Sequence, residues 1–313
     1  MRCPVCKTEC AQSNICPECG FAEVGKLFIN QEEANQWMNS VVSPYRDKYQ
    51  KANVLPPIEW LDVFKKIPKA KQLFEFSIPV TLKRRADLNA HKSPNDSDYY
   101  EYAKDATLGH IAFVSSSELF RKRFIDVMEE AYFKTTNFKR TAAACIEQPG
   151  DLAALLTNLA LGETLLVEVN SKMQRSLSEI FSEALATFGL EILIGKGPAA
   201  KSIHLDLPCF TTVFVADSIS SIPDAVVDTL SFVIEVNPTQ EELNEYQICE
   251  AASFYEIQLT KANISVINEY ISHKPVKNVK SVLKFISDYL YLHTEIKQPL
   301  SEATMQDIIN QLS

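Results

Sequence analysis

Glycine is scarce in this chain. There are eight in 313 residues: Gly20, Gly25, Gly109, Gly150, Gly162, Gly189, Gly195 and Gly197. No GxxxxGK and no GxGxxG can be drawn from them, which excludes the standard phosphate-cradling loops. Long apolar runs are also missing; none reaches the roughly 18 residues needed to cross a bilayer. The chain opens on a cysteine knuckle instead of a basic and apolar leader, so no membrane association and a cytoplasmic location are expected. Positive charge is in deficit, with 31 Lys and Arg against 40 Asp and Glu for a net charge of -9. That balance argues against broad, non-specific DNA binding by the whole chain and does not favour a local basic face. Past residue 19 cysteine is rare as well. Cys145, Cys209 and Cys249 are expected to be ordinary buried small side chains, and no disulfide framework is implied. What is present is ordinary for a globular protein, with 46% hydrophobic and 23% charged residues. The length suffices for two compact units and an appendage.

The other five cysteines crowd the first 19 residues. Cys3-Pro-Val-Cys6 and Cys16-Pro-Glu-Cys19 are two CxxC pairs, each able to set two thiolates on one face of a tight turn. Together Cys3, Cys6, Cys16 and Cys19 complete a closed tetrahedral sulfur shell, so a structural zinc is expected. Gly20 follows the second pair, where a positive φ is often needed. A segment this short cannot bury a core, so the metal would supply its folding energy. Cys10 belongs to no pair and is expected to be a spare.

Beyond this ribbon, Asn30 to Glu33 has the pattern of a helix start, and Ala34, Trp37, Val41 and Val42 fall on one helical stripe. Pro44 should bend or end that helix. Residues 86–97 (ADLNAHKSPNDS) are expected to form a polar, turn-rich loop. Lys83, Arg84 and Arg85 are expected on a solvated face, with nucleic-acid contact as the minority use. From Gly109 onward, four short apolar runs (His110–Val114, Thr164–Val169, Thr211–Val215 and Phe232–Val236) suit strands of a parallel sheet covered on both faces. Helical stripes follow through Leu177, Ile180, Phe181 and Leu185, and through Val279, Val282, Leu283, Ile286 and Leu290. An α/β layered domain followed by a helical one is therefore expected.

Residues Pro149 to Ala154 read PGDLAA, Thr157 to Leu159 read TNL, and Ile194 to Thr211 read IGKGPAAKSIHLDLPCFT. This stretch resembles the ATPase core of the RuvB family, the bacterial Holliday-junction branch-migration motors. The resemblance implies a P-loop NTPase-like (AAA+) parallel sheet with a helical lid, here preceded by a small zinc ribbon. It divides the chain into a ribbon at 1–25, a helical connector and polar loop at 26–100, the α/β domain at 101–236 and a lid at 237–313. It also locates what has been lost. Where the family carries GPPGLGKT, the chain reads Ser115, Ser116, Ser117, Glu118, Leu119, Phe120, Arg121 and Lys122. Arg121 replaces the lysine and Lys122 the magnesium-binding hydroxyl. Ser115 and Glu118 have capping-box spacing, which would put a carboxylate where an anion docks. The Asp-Glu that the family places after its apolar strand is Glu168-Val169 here. The segments that supply the family's sensor and finger arginines read Phe214 to Ser218, Val226 to Ser231 and His273 to Val276, with no arginine in any.

Arginine fingers alone are worth about 10³–10⁵ in rate, so the degenerate site (Ser115, Glu118, Arg121, Lys122, Glu168) is expected to lack ATPase activity, with no nucleotide cofactor and no catalytic residue. In the family the 190–211 hairpin docks onto the partner RuvA. The resemblance thus implies a protein partner, RuvA-like or another, at Ile192, Leu193, Ile194, Ile203 and Leu205. The expected function is a catalytically inactive RuvB-like relative acting as a zinc-binding adaptor. The alternatives are a DNA-associated recombination or repair factor and a nucleotide sensor that does not hydrolyse. DNA and a homo-oligomer remain open as partners.

Overall fold

The computed structural model describes residues 2–5, 10, 15–16, 19–24, 26, 31–52, 54–91, 98–194, 201–273, 279–294, 296 and 298–312. The chain forms two compact units, one from residues 1–58 together with 239–313 and one from residues 59–238. The first boundary thus falls at Glu59, so the segment expected as one connector over 26–100 is shared between the units.

In the first unit, the described part of the amino-terminal cysteine segment packs on helices α1 (Gln31–Trp37) and α2 (Ser43–Ala52). A π turn at Met38–Val42 joins them into one continuous run, so Pro44 does not end the helix. The Ser43 N–H reaches back to the Met38 carbonyl, and this widened turn passes the proline through its first-turn position. Trp37 and Val42 are buried against Cys3, Cys16, Phe21 and Val24, while Val41 faces solvent. Polar bonds fix the docking: Trp37 Nε1 donates to Glu23 at 2.7 Å and the Tyr45 hydroxyl to the Cys19 carbonyl at 2.9 Å. Asn30, the expected cap, lies outside the described residues.

The second unit begins with α3 (Trp60–Lys65), α4 (Pro68–Gln72), α5 (Ile78–His91) and α6 (Tyr99–Asp105). Residues 86–91 are therefore helical, a correction to the expected loop. ADLNAH holds neither Gly nor Pro and simply prolongs α5; residues 92–97 lie outside the described set. Then β1 (Ile111–Val114), α7 (Glu118–Ala131), β2 (Phe138–Ala142), α8 (Pro149–Thr157), β3 (Thr164–Val169) and α9 (Arg175–Thr187) alternate. A hairpin of β4 (Gly189–Ile194) and β5 (Lys201–Asp206) follows, and β6 (Thr211–Ala216), α10 (Asp224–Val227) and β7 (Phe232–Glu235) complete the unit.

The five-stranded sheet runs β2-β3-β6-β1-β7, with every neighbour parallel. Four strands are the four apolar runs of the sequence. The fifth, β2, is a polar edge strand, where only one side of the ladder is paired. One sheet face (Ala112, Val114, Leu165, Val167, Val169, Phe214) is covered by Leu152 and Leu156 of α8 and by Leu177 and Phe181 of α9. On the other, Phe113 stacks on Phe124 of α7 with centroids 4.1 Å apart, and Phe64 of α3 meets both edge to face. Such pairs add roughly 0.5–1.5 kcal/mol each to the area they bury.

In the first unit, α11 (Gln240–Phe254), α12 (Lys261–His273), α13 (Val279–Leu292) and α14 (Glu302–Asn310) bury Ile248, Ile267, Leu283, Ile286 and Met305 around one core. Thr239 and Glu242 form a capping box at the start of α11. Leu55 donates to the Leu259 carbonyl at 2.9 Å and Val54 bridges Thr260, which ties the segment after α2 to these helices. Among the described residues no helix is long and apolar enough to cross a membrane.

Candidate nucleotide site and hairpin

The sheet topology predicts where a ligand crevice should lie. From β1 the chain crosses to the far edge at β2, returns through β3 and β6, and then passes to β7 on the other side of β1. Such a switch point opens a crevice outside the carboxyl ends of the strands, here at Val114, Val169 and Ala216.

At this crevice the connection after β1 is bonded to the chain's own groups. Only Ser115, Ser116 and Ser117 separate β1 from α7. The first continues the ladder, its N–H donating to the Ala216 carbonyl at 3.0 Å. Two further donors are consumed by serine hydroxyls: the Ser117 N–H by Ser115 Oγ at 3.2 Å and the Phe120 N–H by Ser117 Oγ at 3.4 Å. Ser117 is therefore the helix cap, not Ser115 as the spacing suggested, and Glu118 is the exposed first residue of α7. Arg121 folds back so that Nη1 donates to the Ser115 carbonyl at 2.6 Å. Phe120, at the family's last loop glycine, is buried, with its ring 5.2 Å from that of Trp60. Lys122 is exposed on the helix.

The acidic position is also engaged. Glu168 of β3 accepts from Arg140 Nε of β2 at 2.5 Å, and this bond raises the arginine above its ordinary value. Arg140 was not singled out in the sequence; it sits 28 positions away on a strand whose pattern is polar. At the end of β6, Asp217 accepts from the Ser221 hydroxyl at 3.0 Å. Residues 274–278, which include most of the lid segment, lie outside the described set.

The sequence of this unit matches a known domain. Residues 101–236 match the family model of the Holliday junction DNA helicase RuvB P-loop domain. Over 110 residues the chain is 37% identical to the Holliday junction branch migration complex subunit RuvB of Campylobacter lari, covering 35% of this chain. The chain carries a RuvB-like AAA+ core. That match spans 32% of the length of the Campylobacter lari protein. Two mutant forms of Thermotoga maritima RuvB share the fold at 16% and 18% identity, both with a TM-score of 0.51. Each similarity covers 82% of this chain, and 72% and 71% of the respective RuvB chains.

In the RuvB-like core the hairpin grows out of α9. That helix ends on Phe188, in the left-handed region at φ 52. At Gly189 a Cβ would come 2.6 Å from the exposed His204 ring, so a larger residue here would have to displace that ring. Cross-strand pairs follow as Leu190 with Leu205, Glu191 with His204, Ile192 with Ile203 and Leu193 with Ser202. The first pair turns inward: Leu190 is buried and Leu205 packs against the same core. Leu205 thus serves its own domain and leaves the proposed docking set. Ile203 is 43% exposed. Ile192 shares its register position; the side chains of Ile192, Leu193 and Ile194, and the tip at 195–200, lie outside the described part. On the opposite face Glu191 accepts from Ser202 and pairs with His204 at 3.0 Å, and these bonds hold its carboxyl below the usual range.

His110, directly before β1, anchors the base of this region. Thr212 N–H donates to its Nδ1 at 3.1 Å, which leaves Nε2 to donate to the Leu185 carbonyl at 3.1 Å. Burial pushes its pKa down to about 4.

In the amino-terminal segment, the thiols of Cys3, Cys16 and Cys19 lie within 4.8 Å of one another, with Cys3 and Cys19 at 3.6 Å. Two thiolates about 2.3 Å from one tetrahedral ion sit about 3.8 Å apart, so the described sulfurs fit that shell. Cys6, the fourth expected ligand, lies outside the described residues. Cys10 is buried in the same small core and does not belong to the described trio. Gly20 has φ +70, and its N–H closes the second knuckle onto the Cys16 carbonyl at 2.9 Å.

The basic run is put to structural use. Arg84 and Arg85 donate to the carbonyls of Asp105 and Ala106, at and just past the end of α6, at 3.0 and 2.8 Å. Cations at a helix carboxyl end satisfy exposed carbonyls and complement the dipole.

Proposed function

We propose that this chain is a non-hydrolysing RuvB-like protein that works by contact. The β4–β5 hairpin is one docking element and a zinc ribbon is another. One observation carries the reading: the strand-to-helix connection after β1 is three serines, and the hydroxyls of Ser115 and Ser117 take amides that a phosphate loop would offer. Arg121 closes it from the lysine position, and Arg140 holds the acid that would serve magnesium. An ATP site of this type stabilises charge through free backbone donors, a lysine, a metal and arginines, and each of those roles is replaced here.

In the ribbon, Cys3, Cys16 and Cys19 with Cys6 would hold zinc, which would supply the energy that so small a core lacks. The relative from Campylobacter lari is a subunit of a branch migration complex, so the partner class favoured is a protein of a branched-DNA assembly, RuvA-like in how it meets the hairpin. Cytoplasmic location belongs to the same reading. The basic run supports direct DNA binding less well, because Arg84 and Arg85 are engaged with α6.

The test is a pull-down from cell extract with the intact chain, beside variants Ile203→Asp and Ile192→Asp. A partner retained by the wild type and lost from both folded variants supports docking by the hairpin. Equal capture by all three would remove the hairpin from the account.

A further inference from the structure

We infer that the cavity at the amino edge of the sheet binds a small molecule with an apolar body and one oxyanion head, a carboxylate or a phosphate. The cavity has a volume of about 560 Å³, within the range of small-molecule sites. Arg85 and Asn89 of α5, Tyr99 of α6, Asn137 before β2, and Gly162 and Glu163 before β3 contribute to its wall. The strands are parallel, so this edge is opposite to the candidate nucleotide crevice, and the inference does not depend on how that crevice is read.

Arg85 decides the ligand's charge. Its Nε is bound to the Ala106 carbonyl at 2.8 Å and its guanidinium lies over the Tyr132 ring at 5.3 Å. Nη2 is buried beside Gly162 without a hydrogen-bond partner, so the cavity meets other atoms of the side chain, and no carboxylate pairs with Arg85 among the described residues. Glu163, in the same wall, does not neutralise it. That carboxylate accepts from the Ala160 N–H at 2.8 Å and from Lys139 at 3.2 Å. A half-buried cation with no counter-ion is costly, and an anion in the adjoining cavity would offset the cost. Guanidinium binds carboxylate and phosphate through charge-assisted bonds, stronger than neutral ones. Asn89 and Asn137 supply uncharged donors beside it, and Leu82 and Leu161 supply apolar wall.

The test titrates the full chain with octanoate and phenyl phosphate, and with octanol as the neutral control, by calorimetry and thermal melting. At least one anionic probe should bind saturably and raise the Tm, and octanol should not. Arg85→Gln should weaken that probe about tenfold or more, the scale of one charge-assisted bond. Ala86→Trp, on the exposed lip of the cavity, should block the probe while leaving Arg85 in place, so it decides the matter if Arg85→Gln does not fold. The inference is overturned if neither anion binds the wild type, if octanol binds as well, or if a folded Arg85→Gln or Ala86→Trp binds unchanged.

Discussion

Lowering the pH should weaken the RuvB-like core through His110. Its folded value of about 4 lies below the ordinary 6.5, so between these values the unfolded chain binds a proton that the native chain refuses. The contribution is complete above the unfolded value and is lost as pH falls toward the folded one. At 1.36 kcal/mol per pKa unit, the limit below both values is about 3 kcal/mol, and about 2 kcal/mol is lost between about pH 7.5 and about pH 5. Burial is the main cause, opposed by the bond to the Leu185 carbonyl, which favours the protonated ring. The assay is urea unfolding of the wild type and His110→Phe across this range. The variant leaves the Thr212 amide and Leu185 carbonyl unpaired, a cost of about 1–3 kcal/mol each that does not vary with pH. The stability gap between the two proteins should therefore narrow by about 2 kcal/mol at the acid end. A gap that stays constant from neutral to acid pH would refute the reasoning.

Removing the buried ring in Phe124→Ala should cost about 3–5 kcal/mol in urea unfolding, because Phe124 is wholly buried and packs on both Phe64 and Phe113. Arg140→Ala should cost no more than about 1 kcal/mol by the same measurement, because the pair with Glu168 is partly solvated. Metal analysis of the purified chain should find one zinc per chain. A strong chelator or Cys16→Ser should remove it and expose Trp37 to quenching, since that side chain is buried on the ribbon.

Much of the sheet was legible because β1, β3, β6 and β7 are nearly continuous apolar runs, the mark of strands buried on both faces. β2 was not, because an edge strand of FKRTA carries no such pattern. Within the expected helical connector the individual helices α3 to α5 were not placed, for a related reason: Trp60, Phe64, Leu73 and Phe74 are core residues divided among short helices and a π turn, so no single period runs through them. At the site, the lost glycines were visible at once. The replacements were not. Arg140 reaches Glu168 only because β2 and β3 are neighbours, and the Arg121 side chain closes on Ser115 only because the connection is three residues long. Capping spacing alone named Ser115, whereas the cap is Ser117, because the backbone turned one serine inward to hold the next.

The most direct test of the central claim is a titration of the full chain with labelled ATP and magnesium, followed by a turnover assay. The account predicts no saturable binding and no phosphate release above the blank. Magnesium-dependent hydrolysis that disappears in Glu168→Gln would contradict it.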